Sequence, residues 1–392
     1  MKKLFLLLAV LCVFTGWCSA GAELSDAALL SDYDEALHIL EENNPFLPIY
    51  RQYIPDFDSL CAETRGLVAE RCHSARNLYQ FMSDLFARFG NPGHLSMIGP
   101  EGYQLYMQLA EQGIYGKESA EYRLLHDPRT QAVYSEMIQE SGKPETEDVS
   151  SLFLPFITWD PDRKILCIRI QSFKSTLIER DRNILADAVG TYPEVKHIVF
   201  DICGNGGGSD YYWMENLVAP FGEKVSFEKR VYFRDSALTR EYGWMKDAVP
   251  LAEADIVKIP DFAEEMGLTY TQAGIIEIEP AEESRVIHTD AERWVLTDEY
   301  VYSAADGFAG FCKQSGWATL VGRRTRGDGG ASAPVLVRLP ESGLLMRFTL
   351  AASANEDGTL NTLSGTSPDL PSKPFEPPFK TVLRFIDRQT GR

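Results

Sequence analysis

One short segment constrains this chain more than any other. Residues His197-Ile198-Val199-Phe200-Asp201-Ile202 form an apolar run typical of a buried strand, and Cys203-Gly204-Asn205-Gly206-Gly207-Gly208-Ser209 follows without a break. Tyr211-Tyr212-Trp213 then opens a helix-like stretch. Glycines permit positive φ and let successive backbone N–H groups converge on an anion. That anion could be a phosphate or the oxyanion of an acyl transfer, and a tight strand-to-helix turn needs the same glycines with no ligand at all. The dinucleotide fingerprint G-x-G-x-x-G fails because position 209 is serine, and no phosphate-loop Lys-Ser/Thr follows. A nucleotide enzyme is therefore disfavoured.

The surroundings place this loop in an α/β core. Lys164–Ile170 is a second apolar strand run, and a helical pattern from Thr176 to Val189 joins it to the first, making a β-α-β unit. Another such set follows: Trp294–Thr297, then Ala304–Gln314 as a helix, then Ala318–Gly322. Between the two sets, residues 223–290 are more charged and read as an insertion bordering a cleft. The segment before residue 150 has a different period. Ser25 or Asp26 can cap a helix carrying Leu29, Tyr33, Ala36, Leu37 and Leu40, which Asn43-Asn44-Pro45 stops. Further helices are expected at Phe57–Arg71 and Ser74–Phe89. A Gly90-Asn91-Pro92-Gly93 turn, a short strand from His94 to Ile98, and more helices to about 145 complete this part. The polar stretch Ser141–Glu147 marks a boundary near 150. The expected organisation is a signal segment at 1–20, a helical lobe at 21–150 and an α/β core at 151–392. Pro371–Pro378 should wrap the surface before a last amphipathic segment. No internal repeat is visible.

Met1-Lys2-Lys3, an apolar run of roughly 14 residues and the small-residue stretch Cys18–Ala22 have the form of a secretory signal, with cleavage expected after Ala20 or Ala22. The run is short of the ~20 residues needed to span a bilayer, and no later segment reaches that length. A lipid anchor at Cys18 is the alternative, disfavoured by Trp17 directly before it. The chain is therefore expected to be exported, periplasmic or extracellular. A net charge of −19, from 38 basic and 57 acidic residues, repels nucleic acid and anionic membranes. Seven cysteines include Cys12 and Cys18 in the signal segment, leaving an odd five, which is no disulfide framework. Cys61 and Cys72 could pair if a helical hairpin brings them together. No C-x-x-C or H-E-x-x-H spacing exists, so neither a metal nor another cofactor is implied.

The second chemical candidate is Val301-Tyr302-Ser303-Ala304-Ala305-Asp306. A serine where a strand gives way to a helix can present its Oγ beside unpaired N–H groups, although a plain N-cap serine looks the same in sequence. Here the residues reach a family. The strand and Gly-Asn-Gly-Gly-Gly loop resemble the D-x-R-G-N-x-G-G loop of the tail-specific (C-terminal processing) serine peptidases. Ser303-Ala304-Ala305-Asp306 resembles their S-A-S-E turn, Gly322–Gly327 their G-x-T-x-G run, and Gly365-Thr366-Ser367-Pro368-Asp369 their G-x-x-P-D signature. The four matches keep the family's order over about 155–372.

The resemblance implies a ClpP/crotonase-like α/β core behind an N-terminal helical lobe. It also implies Ser303 as nucleophile, with an oxyanion hole from the N–H of Ala304 and one of Gly206 or Gly207. No PDZ-like tail-binding insertion is evident. The family's processing branch uses a lysine base, and the matching place in Arg326-Gly327-Asp328-Gly329 holds Asp328, while Lys313 falls on no motif. Phe89-Gly90-Asn91-Pro92-Gly93-His94 instead resembles the histidine segment of the lysine-free branch, which includes the tricorn protease core, implying His94 as general base. The orienting third group is unassigned: Glu356 and Asp357 lie slightly upstream of that branch's usual place, and Thr362 or Ser364 could serve. The expected activity is a serine peptidase acting on peptide or protein. The alternative is an inactive binder of peptide or a small hydrophobic ligand on the same fold, as in the interphotoreceptor retinoid-binding protein repeats. Oligomeric state is not legible.

Overall fold

The structure is a computed structural model that describes residues 24–141, 153–256 and 258–391. The signal segment, with Cys12 and Cys18, and the boundary near 150 lie outside the described residues. The described strands are β1 (Ser96–Met97), β2 (Phe156–Asp160), β3 (Ile165–Arg169), β4 (His197–Asp201), β5 (Val225–Phe233), β6 (Val249–Pro250) and β7 (Tyr270–Ile278). They continue with β8 (Glu292–Thr297), β9 (Thr319–Gly322), β10 (Val335–Arg338), β11 (Leu345–Phe348), β12 (Ala351–Ala352) and β13 (Leu370–Pro371). The fold is mixed α/β with a helical region at its N-terminal end.

The central sheet runs β13-β9-β8-β4-β3-β2, parallel except for β2 at one edge. Its middle strands β4 and β8 are the continuous apolar runs singled out in the sequence, and Ile198, Val199, Phe200 and Val295 are wholly buried. Helices cover both faces, as a parallel sheet requires. On one face, Phe173, Tyr212, Trp213, Phe308 and Trp317 make an aromatic layer; on the other, Val382 and Ile386 of the final helix Pro378–Thr390 pack on Trp294 and Val321. The amphipathic tail is thus a helix lying on the sheet.

Local sequence explains most of the N-terminal helices. Ser25 caps Asp26–Asn43 by accepting the Ala28 N–H, and Ser74 caps Ala75–Arg88 by accepting that of Asn77. Phe57–Arg71 forms where its apolar spacing placed it. Two expectations need correcting. The helix expected over Thr176–Val189 is broken into Ser175–Leu177, Ile178–Asp181 and Ile184–Thr191. Buried Asp181 turns inward there to accept from the Tyr212 hydroxyl at 2.7 Å, which a straight amphipathic helix would not ask of it. Cys61 and Cys72 do not pair: Cys72 ends the helix that carries Cys61, and about 1.5 Å per residue separates them by roughly 16 Å.

Residues 223–290 contribute the long antiparallel pair β5–β7, the centre of a four-stranded sheet ordered β12-β5-β7-β6. The core of the helical region draws on more than its own segment, since Tyr232, Phe262, Leu336, Met346 and Phe348 pack into it. β1 joins β11 through Ser96↔Arg347 and Met97↔Met346, which carries the His94 turn across to the C-terminal half of the chain. Among the described residues no helix is long and apolar enough to cross a membrane.

Candidate active site

β4 and β8 are parallel neighbours in register Phe200↔Val295 and Asp201↔Leu296, so their C-terminal ends deliver the glycine loop and the Ser303 turn side by side. Ligands of open parallel sheets gather at that end. Two bonds tie the segments together: Gly204 N–H to Asp298 Oδ1 at 3.0 Å and Tyr302 N–H to the Asn205 carbonyl at 3.1 Å. Ser303 itself is no ordinary cap. It has φ 55°, ψ −130° and makes no side-chain capping bond to the helix Ala304–Ser315 that follows. A side-chain-bearing residue at positive φ stores on the order of 1–3 kcal/mol of strain and persists where the surroundings impose it. Of the seven non-glycine residues with positive φ among the described residues, four gather here: Asn91, His94, Ser303 and Asp328.

The serine and histidine meet. His94 Nε2 lies 2.9 Å from Ser303 Oγ, although 209 positions separate them. The Pro92–His94 turn is pinned on several sides: the Pro92 carbonyl accepts from Tyr50 Oη at 2.7 Å, and the Gly93 carbonyl from the Thr349 N–H at 2.7 Å. On the far side of the ring, Nδ1 faces Thr349 Oγ1 at 3.4 Å and Asp328 Oδ2 at 3.9 Å. Asp328 is held in turn by the Tyr302 hydroxyl at 2.7 Å and the Gly93 N–H at 3.0 Å. The residue standing where the processing branch has its lysine is therefore a buried carboxylate beside the imidazole.

Electrostatics follow from burial. Burial, with Arg347 and Arg326 nearby, pushes the His94 imidazole down to about 3, so the ring is neutral near pH 7, the form a general base starts from. Burial pushes Asp328 up to about 6, against the hydrogen bonds from Tyr302 and Gly93 that favour its ionised form.

The glycine loop divides its donors. Gly207 (φ 94°) gives its N–H to Asn205 Oδ1 at 2.8 Å, while Gly206 is exposed. The N–H groups of Gly206 and Ala304, the latter in the first turn of its helix, have no hydrogen bond to the described residues. Gly207 serves by closeness instead: a Cβ there would stand 2.6 Å from the Tyr302 carbonyl oxygen and 2.9 Å from the Ala304 nitrogen. Gly207→Ala is accordingly expected to lose at least about 2 kcal/mol of stability and most activity together, read from a melting curve and a peptide assay.

Other candidates fall away from the site. Lys313 pairs with Asp369, and Asp357 is engaged with Thr359. The Thr362 hydroxyl is buried with no hydrogen-bond partner among the described residues, so it does not bond His94. Sequence reasoning missed Asp328, registering it only as an absent lysine, and Thr349, which no motif marks. A charged residue set between Gly327 and Gly329 in a family motif was the usable signal.

A serine hydrogen-bonded to a neutral histidine at the C-terminal end of a parallel sheet is an arrangement that serine hydrolases use. The sequence pattern of Peptidase family S41 matches residues 164–372, more than half of the chain, and the protein belongs to that family. Among solved structures, a protein from Parabacteroides merdae ATCC 43184 described as a candidate peptidase is similar over 91% of this chain and 96% of its own, with 17% identity and a TM-score of 0.53. Mature CPAF is similar over 93% and 96%, with 12% identity and a TM-score of 0.52. At such identities these likenesses speak for the fold. No curated protein matches the chain significantly.

Proposed function

We propose that this chain is an exported serine peptidase in which Ser303 is the nucleophile, His94 the general base, and Asp328 with Thr349 the groups that orient the imidazole. The observation that carries the reading is the 2.9 Å contact between His94 Nε2 and Ser303 Oγ. His94 takes the Ser303 proton as Oγ attacks the scissile carbonyl carbon. The N–H groups of Ala304 and Gly206 hold the resulting oxyanion, each such donor being worth about 10²–10³-fold in rate. The protonated His94 gives its proton to the leaving amine. Water then attacks the acyl-enzyme by the same route and restores the serine. Peptide or protein is the substrate, as the family implies. Export rests on the form of residues 1–22.

An active-site-directed fluorophosphonate tests this directly. Mass spectrometry should find the adduct on Ser303 in the wild type and at least tenfold slower labelling in His94→Ala. Failure of Ser303 to label would favour a binder on the same fold.

A further inference from the structure

A gap beside the active site is built from the edge of a strand that loses its partner. β12 pairs with β5 only through Ala351↔Phe233 and Ala352↔Tyr232. The chain then turns away, folding on itself through Ala354↔Leu360 and the Asn361 N–H to Ser353 carbonyl bond at 3.0 Å. Between β5 and this departing segment lies a cavity of about 380 Å³. Its volume is in the range of small-ligand and side-chain pockets. Trp213, Phe227 and Phe311 give it an aromatic side, with Phe227 and Phe311 5.2 Å apart, and the helix after Ser303 lines it with Gly307 and Gly310. On its wall the Ser353 hydroxyl is buried and has no hydrogen-bond partner among the described residues.

The backbone of β5 is turned toward this gap. The Glu228 carbonyl accepts from Gln314 Nε2, a side chain of the nucleophile helix, at 3.1 Å, so it points away from β7. Strand alternation turns the N–H and C=O of Arg230 the same way, where β12 has already left. The gap also reaches the first turn of the helix that follows Ser303, where Asp306 and Gly307 line it. Gly329 lines it, and a Cβ on Gly329 would stand 2.6 Å from the Ser303 carbonyl oxygen. Gly307 and Gly310 lie one and two turns along the helix from Ser303, about 6 and 10 Å, which an extended peptide covers in two to three residues.

We infer that this gap is a substrate subsite: an extended stretch of the polypeptide being cleaved adds to β5 at Arg230 and places a bulky apolar side chain among Trp213, Phe227 and Phe311, two to three residues from the scissile bond. Backbone pairing supplies affinity, and the pocket selects the side chain. The inference rests on the peptidase reading for its occupant and on the unpaired edge for its place.

Gly310→Leu is the test. A Cβ at Gly310 meets only Thr366 Oγ1, at 3.8 Å, so the helix accepts it while the longer side chain fills the gap. Two probes are read on the full chain: ten-residue internally quenched peptides with Leu or Ala two to three residues from the centre, and p-nitrophenyl acetate, which has no chain to reach the gap. The expected result is a drop of at least about tenfold in kcat/KM on the Leu peptide, in line with a filled apolar pocket, with ester hydrolysis unchanged. Binding of the Leu peptide to Ser303→Ala, followed by fluorescence anisotropy, should weaken by a similar factor when Gly310→Leu or Phe227→Ala is added. Equal affinity with and without those changes would overturn the subsite. Absence of ester hydrolysis in the wild type would count against the Ser303 chemistry alone, because the binding experiment needs no turnover.

Discussion

Ser303→Ala is expected to reduce peptide hydrolysis by about 10⁴-fold or more, since the serine and the base act as a unit and little beyond oxyanion binding survives the loss of either. The fold should survive, because among the described residues the removed oxygen makes its one side-chain hydrogen bond to His94. A sharper expectation comes from the backbone. Ser303 is held at φ 55°, and alanine inherits that conformation with its cost, whereas glycine does not. Ser303→Gly should therefore be as inactive as Ser303→Ala but more stable than it by about 1 kcal/mol in urea or thermal unfolding, after the larger unfolded-state entropy of glycine is deducted. An alanine variant more stable than the glycine variant would show that the turn carries no such strain. Residual hydrolysis within tenfold of wild type in either would remove Ser303 from the reaction.

Why the serine sits in that conformation is visible one turn further on. Asp306 is buried and accepts from the Thr325 hydroxyl, from the Thr366 hydroxyl at 2.7 Å, from the Gly329 N–H at 2.9 Å and from Asn361 Nδ2 at 3.0 Å. One carboxylate thus joins the Ser303 turn to the Gly322–Gly329 run and to the segment before Pro368. These are three of the stretches that the sequence marks by their resemblance to one family, and their order along the chain was readable because each keeps its own glycine or serine pattern. The strands were readable for a different reason: β4 and β8 are buried on both faces, so they are apolar throughout. What stayed hidden depends on distant partners. Thr349 follows an ordinary strand, and nothing local says that its hydroxyl will face His94 across 255 positions. Asp181 falls inside the stretch expected as one helix, and its tertiary contact with Tyr212, which local spacing does not encode, decides its placement. Gly207 illustrates the limit from the other side. Its need for glycine was legible, but the Asn205 side chain that occupies its N–H depends on rotamer geometry that spacing does not encode.

Asp328→Asn should have the second-largest effect, and its sign differs between activity and stability. The carboxylate lies 3.9 Å from His94 Nδ1, farther than a direct hydrogen bond, with Thr349 Oγ1 nearer at 3.4 Å. Losing the charge should therefore cost about 10–10³-fold in kcat, less than the ~10⁴-fold found where the acid binds the imidazole directly. Because burial pushes Asp328 up to about 6 and His94 down to about 3, the wild-type rate should fall as pH drops through about 6, when Asp328 takes a proton and no longer stabilises the imidazolium formed in the reaction. That acid limb should be absent from Asp328→Asn. Stability runs the other way. A carboxyl whose folded pKa is raised stabilises the fold in its neutral form, fully below its ordinary value of 3.8, and loses that contribution as pH rises through about 6. His94, with its folded pKa lowered, gives the opposite slope: its contribution is present above 6.5 and is lost as pH falls toward about 3. In the difference between variant and wild type the histidine largely cancels. Asp328→Asn should thus be the more stable protein at pH 8, by on the order of 1–3 kcal/mol, with the gap closing toward pH 4. A slower enzyme that is also less stable at pH 8 would mean that the ionised carboxylate holds the His94 turn in place, rather than being a buried charge kept for catalysis.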